Sequence, residues 1–211
     1  ASKNTASGYA AVWARENTRE EIFDAFKRKE TYATTGPRIA VRFFGGWDFS
    51  EEDALKPNFV DTGYSKGVPM GSDFGERGKN KRPNFLIMAS KDPNGANIER
   101  VQIIKGWIDS YGRSLEKVYD VVVSDDAGQS TVDVDKASYD NSIGQPYITT
   151  FWEDPDFNPN QSAFYYVRVL ENPTCRWSTW DALRAGKSPR PELKPTIQER
   201  AWSSPIWYIP S

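Results

Sequence analysis

Between Arg38 and Phe43 the chain alternates: Ile39, Val41 and Phe43 are apolar, and Arg38, Ala40 and Arg42 lie between them. A period of two predicts a half-buried strand. Upstream the period lengthens. Ile22, Phe23 and Phe26, with Ala25 beside them, recur at helical spacing, and Thr18 stands three residues before Glu21. That is a capping box, in which the threonine oxygen accepts from a first-turn amide and the glutamate reaches back to the cap. A helix is therefore expected from Thr18 to near Lys29, with Asp24 and Arg28 one turn apart and Lys27 to Lys29 at the end that favours cations. TYATT (31–35) is β-branched and aromatic, and Gly36-Pro37 breaks it from the strand that follows.

Beyond Gly45 the apolar runs are strand-sized: FLIMAS (85–90), VQIIKGW (101–107), VYDVVVS (118–124), YITTFW (147–152), FYYVRVL (164–170) and PIWYI (205–209). Turn chemistry separates them, as in Lys-Asp-Pro-Asn-Gly (91–95) and Asp-Asp-Ala-Gly (125–128). The pattern predicts a mainly β fold, an antiparallel β-sandwich-like domain preceded by one N-terminal amphipathic helix. Stretches 48–83 and 171–204 have little periodicity. They read as ordered loops pinned by aromatic side chains, with a short helix near Trp180 to Ala185. The apolar run Tyr9 to Ala14 meets the capping box almost at once, as though the chain entered a fold midway, so a fragment is expected. On that reading residues 1–44 are a terminal helix and strand, and 45–211 a β-rich domain with long aromatic loops.

Composition narrows the chemistry. The 211 residues include no histidine, the commonest metal ligand and the usual general acid or base near neutral pH. Triads and most metallohydrolase sites are thereby excluded from this chain. Cys175 is the only cysteine, which leaves no intrachain disulfide and no thiolate metal cluster. With 27 Lys and Arg against 29 Asp and Glu, the net charge of −2 offers no basic field for nucleic acid. No run reaches the length of a membrane span, and the start, ASKNTASGYAAVWA, lacks the basic and apolar regions of a signal peptide. A soluble chain is expected. An exported or periplasmic parent stays open, because a removed leader leaves no trace.

Several groupings could carry chemistry, and each has a plainer reading. Asp125, Asp126, Asp133 and Asp135 offer oxygen ligands for calcium, yet their spacing fits no EF-hand and a solvated turn explains them as well. Glu153, Asp154 and Asp156 could supply the acid and base of a glycosidase, or simply cap an acidic loop. Gly63, Gly67, Gly71, Gly75 and Gly78 suggest a phosphate cradle, but the order that aims amides at phosphate is missing, so an irregular surface loop is expected. Trp47, Trp107, Trp152, Trp177, Trp180, Trp202 and Trp207 could stack sugars or fill a sandwich core.

Four segments carry a family resemblance. ENTREEIFDAFKRKETYATTGPRI (16–39) resembles the last helix and following strand of bacterial proteins in the polymerase-and-histidinol-phosphatase-like (PHP) metallohydrolase superfamily. Together with GYSKGVPMGSDF (63–74), FYYVRVLENPTCRWSTWDA (164–182) and ERAWSSPIWY (199–208), it is similar to the C-terminal part of the family called domain of unknown function 3604. In that family the histidine and aspartate ligands lie upstream of the segment resembling Gly8 to Arg15. The resemblance thus implies a hydrolase parent whose divalent metal sits in an upstream domain, with no cofactor in this chain. It also implies that the helix is the remnant of a PHP-like barrel. Cys175 stands where the family tends to have proline, which argues against a required thiol.

Three readings follow. In the first, the chain is a non-catalytic portion that supports or lines the active site of a missing N-terminal PHP-like domain, its expected partner. The second is a carbohydrate or small-ligand binding sandwich using surface tryptophans, and the third a self-sufficient carboxylate enzyme. No nucleic-acid or membrane partner is expected, and homo-oligomerisation stays open. If this portion reaches an active site, the residues closest to substrate are Thr34, Thr35 and Arg38, because TYATTGPR brings hydroxyls and a planar donor fork to one turn. Arg176 and Asp181, around Trp177, form a second pair that a loop-pinning salt bridge would also explain.

Overall fold

Alternation in the sequence becomes strand pairing in the structure, a computed structural model that describes residues 7–76, 78 and 81–210. Arg77 of the glycine-rich stretch and the first six residues of the N-terminal stretch lie outside the described residues. The chain opens with β1 (Tyr9–Val12), helix α1 (Arg19–Lys27), β2 (Thr31–Thr34) and β3 (Ala40–Gly46). Two short helices, α2 (Glu51–Ala54) and α3 (Phe59–Lys66), lead into β4 (Gly67–Pro69), β5 (Asn84–Ser90), β6 (Ile98–Ile108) and β7 (Ser114–Val123). Next come β8 (Tyr147–Glu153), β9 (Ala163–Glu171), β10 (Thr174–Cys175) and helix α4 (Trp177–Arg184), then β11 (Thr196–Ile197), β12 (Arg200–Ser203) and β13 (Ile206–Tyr208).

Two antiparallel sheets hold the fold. The larger runs β1-β2-β12-β9-β6-β7, with β13 also on β9; the smaller runs β4-β3-β5-β8. Their facing side chains make one core, in which Val41 and Phe43 of β3 and Phe85 and Ile87 of β5 meet Ile103 of β6, Tyr165 and Val167 of β9, and Ile206 of β13. Along β9 burial alternates residue by residue, as a period of two requires when one face is inward. The sandwich expectation holds, and only 14% of the described residues are helical. β3 crosses residues 44 and 45, and β2 pairs with β12, so strands from both ends of the chain share the larger sheet.

One polar group enters that core deliberately paired. Lys105 sits opposite Tyr165 in the β6–β9 register and so faces inward, where its ammonium lies 2.6 Å from the fully buried Asp154 carboxylate. Tyr165 donates to the same oxygen at 2.7 Å, and the Asp156 amide donates to the other at 2.8 Å. A buried charge survives only when its partners are this complete.

The stretch 48–83 departs from the expected loop. It holds α2, α3 and β4, and the two helices cover the outer face of the smaller sheet over Phe44 and Leu86 with Phe49, Ala54 and Phe59. Local signals for them are weak, because α2 has four residues and α3 carries Gly63 in its interior. Packing overrides propensity. A methyl group on Gly63 would stand 2.5 Å from the Phe44 ring, so only glycine lets α3 lie this close. Ser50 and Asp53 form the capping box that starts α2, and Lys56 and Lys66 both reach the Asp53 carboxylate at 2.7 Å. Burial pushes that carboxyl's pKa up, but the hydrogen bonds from Lys56, Lys66 and Ser50 outweigh it and hold the group well below its ordinary value.

Candidate functional site

A cleft of about 810 Å³ opens where α1, β3, α3 and β4 converge. The end of α1 shapes it. Lys29 adopts left-handed backbone (φ 57°), its amide donates to Phe26 O, and the Glu30 amide donates to Ala25 O at 3.1 Å. This is a Schellman closure with lysine where glycine is usual, and it turns the chain so that the Glu30 side chain is buried. Glu30 accepts a hydrogen bond from the Tyr64 hydroxyl and ion-pairs with Arg42 at 3.5 Å and Arg28 at 3.6 Å. Burial, with Glu30 next, raises the Tyr64 phenol above its ordinary pKa.

Arg42 is the centre of the cleft. As the polar residue of the β3 alternation it shares a face with Phe44, and Tyr64 packs edge-on to Phe44 at 5.1 Å. The Arg42 guanidinium lies 3.5 Å from the Trp13 ring centroid, and the indole is itself fixed by donating to Val41 O at 2.8 Å. Nη1 donates to the Tyr64 oxygen at 3.1 Å. Among the described residues Nε and Nη2 have no acceptor. Five cationic residues, Arg15, Lys27, Arg28, Lys29 and Arg42, line this space against two acidic ones, Glu30 and Asp73, with the Lys27 ammonium turned over the Phe23 ring at 4.8 Å. In a chain of net charge −2 that is a local excess of positive charge.

The residues singled out from TYATTGPR lie elsewhere. Thr34 is buried and accepts from the Gly36 amide, which keeps its hydroxyl in the turn. Thr35 donates to Glu199 and accepts from the Arg200 amide at 2.9 Å, bridging β2 to β12. The exposed Arg38 gives its backbone amide to Asp92 at 2.6 Å. These three gather at the opposite end of β3 from Gly46, beside a second unusual group. Glu171 is fully buried, and among the described residues neither of its carboxyl oxygens has a hydrogen-bond partner. Burial, with Glu199 and Asp92 nearby, pushes its pKa up to about 8; the Ala96 amide favours the ionised form but falls short of hydrogen-bond geometry.

Arg176 precedes α4, donates to Ser178 at 2.6 Å and lies 5.1 Å from the Trp177 ring, while Asp181 is exposed on α4. The glycosidase grouping does not form an acid–base pair across a cleft: Asp154 is spent on Lys105, and Asp156 pairs with Lys117 and accepts from Tyr119. Of the calcium grouping, Asp133 accepts from the amides of Asp135 and Lys136. Among the described residues no group of three His, Cys, Asp or Glu side chains is placed to hold a metal. In the glycine-rich stretch, Gly63 and Gly67 are packing positions, against Phe44 and Phe49, and not an open cradle. The tryptophans are dispersed. Trp47 packs among Phe74, Phe157 and Tyr208, Trp152 against Phe85, and of the seven only Trp207, at 41%, is clearly exposed.

By pattern alone Arg42 lies on the polar side of a strand, and Trp13, Glu30 and Tyr64 carry no signal of a site. Trp13 and Glu30 are joined by the β1–β2 pairing, and Tyr64 by a helix that the local pattern hides.

Fold and cleft together define a helix-flanked antiparallel β-sandwich domain with an arginine-centred pocket. The chain belongs to the family described as protein of unknown function (DUF3604), which residues 1–210 match. No curated protein and no solved structure matches it.

Proposed function

We propose that this chain is the non-catalytic C-terminal portion of a PHP-like, metal-dependent hydrolase, and that α1 is the surface on which the upstream catalytic domain sits. The observation that carries the reading is the apolar face of α1. Phe23 is 58% and Phe26 50% exposed, and with Ile22 they border an open groove, while Ala25 alone of the helix is fully buried. Nine residues make a marginal helix on their own, and large apolar side chains stabilise it by about 1.5–3 kcal/mol each only when covered. The charged cleft adjoins the same helix. The upstream domain then supplies the divalent metal and its ligands, and this chain supplies walls and shape to the site.

A second reading rests on a different surface. A groove of about 460 Å³ runs beside Trp107, Phe164 and Trp207, bordered by Ser114, Glu116 and Ser162, and rings flanked by hydroxyl and carboxylate groups suit a sugar. Saturable binding of a soluble oligosaccharide that Trp207→Ala removes would favour it.

The test of the first reading compares residues 1–211 with the product of the same reading frame extended upstream of Ala1. Stoichiometric divalent metal in the longer protein, with slower amide exchange across α1 than in the shorter one, is the expected result. Equal exchange across α1 in both proteins, or an upstream sequence without a metal-binding domain, overturns it. A concentration-dependent slowing in residues 1–211 alone would assign α1 to a second copy of the chain instead.

A further inference from the structure

We propose that the Arg42 cleft binds an oxyanion group, a phosphate or carboxylate carried by a small molecule, with Arg42 as its main contact. The inference goes beyond the domain reading and does not rest on it, since every residue involved is in this chain.

The guanidinium is held before any ligand arrives. One face lies on the Trp13 ring at 3.5 Å, Nη1 is committed to Tyr64 and Glu30, and Trp13 is tied to the β3 backbone. The Nε–Nη2 edge is left, and that edge is the planar two-donor fork that matches a carboxylate or phosphate. Its side chain is 14% exposed, so the open donors sit in a partly desolvated place where a charge-assisted hydrogen bond counts for more than in water. Immobilisation matters as well: an arginine fixed in advance loses little rotamer entropy on binding.

Charge selects the sign of the ligand. The Glu30 carboxylate is already taken by Tyr64, Arg42 and Arg28, and the Lys27 ammonium lies 4.8 Å from the Phe23 ring, which leaves Arg15 and Lys29 to be balanced mainly by Asp73. A cation would meet net repulsion from these side chains, whereas Trp13, Tyr64 and Pro69 offer apolar contact to the body of a small molecule that carries the oxyanion. Size agrees too, because about 810 Å³ lies within the range of small-molecule pockets, roughly 300–1,000 Å³. Were Arg42 there only to neutralise Glu30, a single edge would suffice and the second would not be kept free beside further cations.

The experiment uses the full chain. Inorganic phosphate and succinate are titrated separately, against chloride at matched ionic strength, and nitrogen-detected arginine Nε and tryptophan indole resonances are followed by NMR. At least one oxyanion should give a saturable shift at the Arg42 Nε–H and the Trp13 indole below about 20 mM, a modest affinity for one bidentate contact. Which of the two saturates identifies the group. Arg42→Gln should weaken binding at least about tenfold, and Lys187→Gln, on the exposed segment after α4, should leave it unchanged. Because Arg42→Gln strands a buried carboxylate, the double variant Glu30→Gln/Arg42→Gln repeats the measurement in a charge-balanced pocket. The proposal is overturned if neither oxyanion saturates, if the double variant binds as tightly as the parent, or if chloride produces the same shifts.

Discussion

Glu171 makes stability depend on pH near neutrality. Its carboxyl is buried without a hydrogen-bond partner among the described residues, near Glu199 and Asp92, with Lys91 as an opposing charge and Tyr139 nearby. Folding raises its pKa from 4.5 to about 8, so the folded chain holds a proton there that the unfolded chain releases. The sign follows from linkage. This group's contribution is fully present below about pH 4.5, is lost progressively as pH rises toward 8, and levels off once the folded form ionises too. At about 1.4 kcal/mol per unit the loss is a few kcal/mol at most, reduced by whatever relaxation lets water in. Glu171→Gln keeps the shape and removes the titration. It should change stability little at pH 5 and raise the denaturant midpoint at pH 8.5, flattening the profile between. A variant that parallels the parent at both pH values would show that Glu171 is ionised in the fold. Neither this residue nor Arg42 stands out in the sequence. Glu171 closes an ordinary alternating strand, and only the three-dimensional neighbourhood makes its charge costly.

Elements were legible where their own residues decide them. α1 begins where the Thr18 cap places it, with the Thr18 oxygen accepting from the Glu21 amide at 3.3 Å; β3 falls on the alternating run, and β5, β6, β8 and β9 fall on the strand-sized apolar runs. Arg28 differs from expectation in turning toward Glu30 and Trp13 O, because the Schellman closure carries the following residues across it. α4 occupies Trp177–Arg184, a little earlier than the composition suggested. What stayed hidden were elements that packing creates: the two-residue strands β10 and β11, the edge strand β1, and the helices α2 and α3. For α3 this is testable at one atom. Gly63→Ala gains roughly 1 kcal/mol of helix propensity by the usual scale, whereas the added methyl must displace the buried Phe44 ring at an overpacking cost of about 1–3 kcal/mol. Packing should win, lowering the midpoint of chemical unfolding. A stabilised variant would mean that α3 can lift from the sheet at little cost and is not a fixed wall of the cleft.

At the scale of the whole molecule, stability is unevenly distributed, and the site lies on the boundary. β3, β5, β6 and β9 are joined through one continuous core, while α1 is attached by Ala25, its closing turn and the edge strand β1, with Phe23 and Phe26 facing out. Local opening follows burial, so amides of α1 should exchange through a sub-global opening at least about 2 kcal/mol below that of β9 in the isolated chain. For the same reason Phe23→Ser with Phe26→Ser should lower the stability of residues 1–211 by no more than about 1–3 kcal/mol, the share of a half-buried pair, well short of the cost of emptying two core positions. The cleft inherits this asymmetry. Arg42, Trp13 and Tyr64 belong to the rigid side, whereas Arg28, Lys29 and Glu30 end or follow the loosely held helix. A partner that covers α1 would therefore tighten one wall of the pocket against a fixed other, coupling docking to ligand affinity without any new contact to the ligand. Exchange of α1 as slow as that of β9, or a large loss of stability in the double serine variant, would show that the helix is already anchored by this chain, and would remove the main argument for an upstream domain upon it.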